Sequence, residues 1–314
     1  MKTGKQLFLL LILIVTYSCS NEEDKNLQNT EIPNFVFEES RLLENYQIPK
    51  EDVISLQKLG FSGSSGVAME RTDYLHNETY MYYLMENDIV IRKDALPSMS
   101  NELSKNKTNN QSKQYHTTNL VDIEKGERAR PRFIKVIAVN FTEINLIKGL
   151  TMAIKNYNDL KIGLKFTLEF RYGIKDRARM LKAEKDSDIL VNEQFFRPPG
   201  GDAGFPSGGM PYGTINVGKA NASFGIDVCE HIFTHEIGHC IGLRHTDFFN
   251  RSISCEEGSV GNEGESEAGA IHIPGTPKKI DIDLESIMLS CADGGETGEF
   301  SNDDVTALNY LYKQ

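Results

Sequence analysis

Long apolar runs are scarce in this 314-residue chain. The stretch Leu7–Val15 is unbroken for nine residues, whereas a helix spanning a bilayer needs about 20, so it is not a transmembrane anchor. Positive charge is also in deficit. The 34 Lys and Arg residues against 45 Asp and Glu leave a net charge of −11, which disfavours nucleic acid and anionic membrane surfaces as partners. There are only five cysteines and seven histidines, and no internal repeat. What remains is ordinary for a globular protein: 39% hydrophobic and 25% charged residues, enough for one large core or two modest ones.

Lys2 and Lys5 precede the apolar run, and a cysteine, Cys19, follows it after Ser18. A short positive region, a nine-residue apolar core and a cysteine read as a signal peptide over residues 1–18. The sequence "VTYSC" resembles the lipobox of bacterial lipoproteins, with Tyr17 where a smaller residue is usual. It implies that Cys19 is lipidated and that the mature chain is anchored to an outer membrane, with "SNEED" resembling a surface-export signal. Plain secretion with cleavage near Cys19 is the alternative. Both place the protein outside the cytoplasm, and residues 19–32 read as a polar tether.

Residues 33–97 read as a small α+β unit. "IPKEDVISLQKLGF" has Pro49 at a helix start, apolar Val53, Ile54, Leu56 and Leu59, and Gly60 as a stop. "ETYMYYLMENDIVIRK" has strand-forming residues on both sides of Glu86-Asn87-Asp88, which predicts a hairpin. Residues 98–131 are a linker, Asn-, Ser- and Lys-rich in their first part. They are read either as a maturation site between a prodomain and a catalytic domain or as a loop without processing.

From residue 132 the pattern is regular: strand "RFIKVIAVNF", helix "EINLIKGLTMAIKNYNDL", strands "KIGLKFTLEF", "SDILVNE" and "YGTINVGKA", then a helix "VCEHIFTHEIGHCIGL" with Asp227 as its N-cap. A C-terminal helix starts at Ser301 or Asn302. The order predicts an α/β (α+β) catalytic domain over 132–314 with a mixed sheet. Residues 198–218 precede the histidine-rich helix, and "GTINV" within them is read either as a sheet edge that pairs with an extended peptide or as part of a glycine-rich loop.

Three of the seven histidines fall in "HEIGHCIGLRH", residues 235–245. His235 and His239 lie four apart, so on an α-helix they share a face, about 6 Å from each other. Two neutral imidazoles so placed can ligate one Zn²⁺. Glu236 follows the first ligand, where a carboxylate can act as general base toward water. Gly242 can adopt φ > 0 and end the helix, which lets the chain return His245 to the same metal. Three histidines and a water make an open, catalytic type of zinc site. His231 is read as an ordinary helix residue.

"HEIGHCIGLRH" fits the metzincin consensus HExxHxxGxxH, and its first five residues resemble the signature of the dual-action HEIGH metallopeptidase family. "ESIMLSC", "IHIPGTP", "YLMENDIVI" and "QYHTTNLV" also look like that family. The resemblance implies a metzincin-like fold and a zinc-dependent endopeptidase acting on peptides or proteins. His235, His239 and His245 would be zinc ligands, Glu236 the catalytic base, and Met288 the methionine of the turn beneath the metal. Some metzincins have a tyrosine soon after that methionine. Here Leu289, Ser290 and Cys291 follow, so the resemblance names no oxyanion stabiliser besides zinc. Thr246 stands where astacins have glutamate, and Asp247 is a candidate partner behind a ligand.

Four cysteines follow Cys19: Cys229, Cys240, Cys255 and Cys291. An even number in an exported chain predicts two disulfides. Cys229 and Cys240 sit on one helix roughly 16 Å apart, beyond the ~7 Å limit for a bridge. That leaves 229–255 with 240–291, or 229–291 with 240–255. No mature cysteine lies ahead of Cys229, so a thiol from the N-terminal unit cannot block the metal unless Cys19 does; an acidic residue can. A non-catalytic binding lipoprotein with structural zinc is the competing function. A monomer is expected.

Overall fold

The computed structural model describes residues 38–314 apart from 60, 62–65, 103–113, 127, 195–198, 256–269, 277–281 and 293. The signal peptide, Cys19, the tether and Gly60 therefore lie outside the described residues. Among the described residues no helix is long and apolar enough to cross a membrane.

The first elements are β1 (Glu38–Leu42), α1 (Lys50–Lys58), β2 (Val67–Asp73), β3 (Glu78–Met85), β4 (Ile89–Arg92) and α2 (Leu96–Glu102). β1 to β4 form an antiparallel sheet in sequence order. Alternation along these strands sends Ala68, Tyr83, Met85, Ile89 and Ile91 into a core shared with Leu56 and Phe61. The β3–β4 hairpin closes at Met85–Asp88, where Asp88 N donates to Met85 O at 3.2 Å. Its two central residues, Glu86 and Asn87, have φ of 54° and 73°, the signature of the type I′ turn that suits the twist of a hairpin. Asn tolerates that region; Glu rarely occupies it.

Next come β5 (Tyr115–His116), β6 (Arg132–Val139), α3 (Ile144–Asp159), β7 (Leu164–Arg171), α4 (Arg177–Asp186), β8 (Ile189–Gln194), β9 (Gly201–Asp202) and β10 (Thr214–Gly218). The chain continues through α5 (Ile226–Ile241), β11 (Leu243–Arg244), β12 (Ile271–His272) and α6 (Asn302–Tyr312). A five-stranded sheet has the order β7-β6-β8-β10-β9. β6, β7, β8 and β10 are parallel, and β9 runs antiparallel to β10. Parallel neighbours need crossovers, and α3 and α4 supply those that link β6, β7 and β8. β6 shows the consequence of two covered faces: Ile134, Val136 and Ala138 join the core with α3 and α5, whereas Ile137 and Val139 pack with Met180 and Ala183 of α4.

Three sequence expectations change. α4 was not foreseen: its segment is strongly polar, and only Met180 and Ala183 are buried. "GTINV" is not an edge, because β10 is flanked by β8 and β9; the edge is β9. Asp227 is not the N-cap of α5, which starts at Ile226 after Gly225 at φ 104°. Asp227 lies in the first turn, where its charge still suits the helix dipole.

Residues Asn34–Gln314 cluster as one compact unit. Within the stretch of linker composition, β5 pairs with both β11 and β12. This small sheet sits where the chain leaves α5.

Candidate metal centre

α5 is buried along most of its length, from Cys229 to Ile241. Its helical period brings the Nε2 atoms of His235 and His239 to 3.0 Å. Gly242 ends the helix at φ 108°, its N–H donating to Gly238 O and His239 O. A Cβ there would also lie 2.8 Å from Leu120 and 3.2 Å from the backbone oxygen of Asn119, so glycine is required by conformation and by space. Beyond this break the chain doubles back through β11, and His245 Nε2 arrives 3.2 Å from both His235 Nε2 and His239 Nε2.

Each of these rings is oriented from behind. His235 Nδ1 faces Ile287 O at 2.8 Å, His239 Nδ1 faces Leu243 O at 2.9 Å, and His245 Nδ1 contacts the Glu86 carboxylate. A ring nitrogen facing an oxygen acceptor carries the proton, which leaves the Nε2 lone pair on the other side. With the rings neutral, three lone pairs would point at one another, an arrangement that a proton or a metal cation among them relieves. A tetrahedral metal with bonds of about 2.0–2.1 Å has donors about 3.3 Å apart. The three histidine nitrogens therefore fit a zinc-sized ion.

A fourth donor meets the same point. Asp88, at the end of the β3–β4 turn, places Oδ2 3.0 Å from His245 Nε2 and 3.4 Å from His235 Nε2. All four donor atoms lie within 4.8 Å of one another. The other oxygen of Asp88, Oδ1, is buried and has no hydrogen-bond partner among the described residues, as suits a carboxylate whose charge is balanced by a cation rather than by donors. Burial pushes the Asp88 carboxyl up, but the imidazoles of His245, His235 and His239 outweigh it and hold it well below the usual carboxylate range. Burial likewise pushes His245 down, yet the Asp88 and Glu86 carboxylates prevail and raise it to about 10. Burial and the two neighbouring imidazoles keep His239 neutral. Without metal the cluster thus holds a proton that a cation would displace.

Glu86 ties this turn to the histidine segment. Besides His245, its carboxylate accepts from Arg244 Nη2 at 3.1 Å, and its backbone oxygen accepts from Arg251 Nη2 at 2.8 Å. Both arginines are buried, and Arg244 also stacks 4.2 Å from the Phe61 ring centroid. The sequence predicted a hairpin at Glu86-Asn87-Asp88 but no role for these carboxylates. They lie about 150 residues before the histidines, and no spacing rule reaches that far.

Met288 is fully buried beneath α5. A Cβ on Gly238 would fall 2.6 Å from Met288 Sδ, so the bare backbone of Gly238 lets the methionine approach. Thr246 N donates to Met288 O at 2.8 Å. Asp304, at the start of α6, accepts from Ile287 N at 2.8 Å and from Ser286 Oγ at 2.7 Å. Asp247 accepts from Ser290 N at 2.9 Å; it braces this turn and does not touch a histidine ring. The predicted disulfides are corrected. Cys255 pairs with Cys291, with Cα atoms 5.2 Å apart, while Cys229 and Cys240 are free and fully buried. Both free thiols face the core cluster of α3 and α5, where they act as small apolar side chains.

Glu236 is buried on the turn between His235 and His239. A Cβ on Gly201 would sit 2.4 Å from Glu236 Oε1, so the bare backbone of edge strand β9 passes directly over this carboxylate. That requirement for glycine at position 201 was also unseen in the sequence. His231 is buried one turn earlier, its Nδ1 3.1 Å from Thr297 O, and burial lowers its pKa to about 4. It is a neutral packing residue outside the cluster.

The sequence profile described as dual-action HEIGH metallo-peptidase matches residues 83–312, which include the Glu86–Asp88 turn. No curated protein matches the chain. Solved structures titled "Structure of myroilysin" and "Crystal structure of myroilysin" match at 14% and 12% identity, with TM-scores of 0.37 and 0.34. Each alignment covers 58% of this chain, and 93% and 84% of the respective myroilysin chain. With most of its length matched by the family profile, the chain belongs to the dual-action HEIGH metallopeptidase family.

Proposed function

We propose that this protein is a zinc-dependent endopeptidase in which His235, His239 and His245 hold the metal and Glu236 is the general base. The observation that carries the reading is the convergence of three Nε2 atoms, with a buried carboxylate one residue after the first of them. When bound, zinc polarises the scissile carbonyl and makes water acidic enough to attack near neutral pH. Glu236 takes the proton from the attacking water and returns it to the leaving amine. The Gly201 backbone packs against this buried carboxylate and limits its freedom to move away from the cluster. Met288 forms the floor beneath the ligand helix. We further place the protein outside the cytoplasm, anchored through a lipid on Cys19. The Cys255–Cys291 disulfide supports an oxidising compartment, and the lipobox-like sequence supports the anchor.

A second reading has an observation in its favour. With Asp88 beside three histidines, the centre has four protein donors, and closed sets of that kind are typical of structural zinc. One experiment separates the two. The zinc-loaded chain and its Asp88→Ala variant are incubated with a diverse peptide library, and products are read by mass spectrometry with a chelator control. Cleavage that the chelator abolishes, and that adding Glu236→Gln lowers by about 10²–10⁴-fold with zinc still bound, is the expected result. No cleavage by either zinc-loaded chain would leave the structural site as the correct reading.

A further inference from the structure

The β3–β4 hairpin has two contacts with the metal-centre region that a substrate would need for itself. The first is at the metal. Asp88 Oδ2 stands at the fourth corner of the histidine cluster, where an open catalytic centre keeps a water or a substrate oxygen. The second is at the sheet edge. Past β9, Ala203 N donates to Asp88 O at 3.0 Å and Val90 N donates to Ala203 O at 2.9 Å. Ile89 and Ala203 thereby form a parallel bridge. These are the backbone groups through which an exposed edge would bind an extended peptide.

The hairpin is fastened as well as placed. Glu86 is held in its uncommon φ of 54° by bonds to Arg244, Arg251 and His245. Non-glycine residues are disfavoured in that region and are kept where the surroundings fix them. Farther along the same sheet, buried Arg71 of β2 pairs with Asp202 of β9 at 3.1 Å, beside Gly201 and so near the general base. The apolar core of the sheet also takes in Phe205, two residues past Ala203, and Phe61 stacks on its ring, so packing as well as charge holds the hairpin against this edge.

We infer that the Glu86–Asp88 turn is a built-in plug, with Asp88 as the metal's fourth ligand and β4 in place of a bound peptide, so that the described conformation is latent. Opening requires the β1–β4 sheet that carries this hairpin to part from β9 and Phe205; α5 and the β11 return loop supply the three imidazoles without it. The identity of the reaction rests on the peptidase reading, but the ligation by Asp88 does not.

The test uses the full chain loaded with one equivalent of Co²⁺, whose absorption reports its ligand set, titrated with acetohydroxamate, a small bidentate probe of an open metal position. Wild type, Asp88→Ala and the near-isosteric Asp88→Asn are compared. An intramolecular carboxylate competes at millimolar or higher effective concentration. Both variants are therefore expected to bind the probe at least about tenfold more tightly than wild type, with an altered cobalt spectrum even before it is added. Equal affinity and identical spectra in all three chains would overturn the proposal. If the variants bind the probe tightly but cleave no peptide, the plug stands and the peptidase reading falls.

Discussion

Helix α5 and the β3–β4 turn bring donors to the same point by different physical routes. On α5, His235 and His239 are neighbours because a helix repeats every 3.6 residues, and Gly242 sends His245 back by a single left-handed residue. Every step is local. Asp88 and Glu86 reach the cluster from about 150 residues away, carried by a hairpin whose position depends on Arg244, Arg251 and the pairing with Ala203. One region owns its geometry; the other borrows it. A site built in this way can lose its borrowed part and keep its own, which is what a latent enzyme needs and a purely structural metal site does not.

Substitutions on the helix and in the turn should have unequal effects. The largest effect is expected from His239→Ala on the helix. Removing one of three nitrogens from a site whose total binding is of order 10 kcal/mol should lower metal affinity by several orders of magnitude, as measured by competition with a chromophoric chelator. Tight metal binding in His239→Ala would mean that α5 does not own the site. Next is the Cys255–Cys291 bridge, which closes a 36-residue separation and steadies the segment after the helix. Replacing both cysteines with serine should cost about 3–4 kcal/mol in denaturant unfolding. An unchanged midpoint would show that Asp247 and Asp304 hold the methionine turn unaided.

A smaller effect is expected in the turn. Glu86→Ala removes the acceptor behind His245 and should weaken metal binding about 10–100-fold, less than the loss of a ligand. If it matched His239→Ala, the turn would be as much an owner of the site as the helix. Smallest is Gly242→Ala, which places a Cβ at φ 108° and 2.8 Å from Leu120. It should destabilise the fold by roughly 1–2 kcal/mol in thermal unfolding. Unchanged stability would show that the helix end can relax without displacing His245.

The contrast also accounts for what could be read beforehand. The histidine spacing and the glycine break follow from helical period and turn chemistry; the family resemblance pointed to the same residues and alone implied a role for Met288. The β-α-β rhythm of 132–218 was visible in its apolar alternation. α4 was not, because a helix that buries only Met180 and Ala183 leaves little periodic trace. The disulfide pairing failed because an even cysteine count says nothing about which thiols face the core, and Cys229 and Cys240 both do. The Glu86–Asp88 carboxylates were legible only as a turn. Their chemistry arises from register across the fold, and Glu86 at positive φ gives no signal until the backbone is seen.

Both regions meet only if one metal ion is held by three imidazoles from the α5 segment and one carboxylate from the turn. X-ray absorption at the zinc edge of the loaded full-length chain tests it directly. Four nitrogen or oxygen scatterers at about 2.0–2.1 Å are expected, three of them with the outer-shell pattern of imidazole. A sulfur shell near 2.3 Å, which would place Cys240 or Cys229 on the metal, or fewer than three imidazoles, would contradict it.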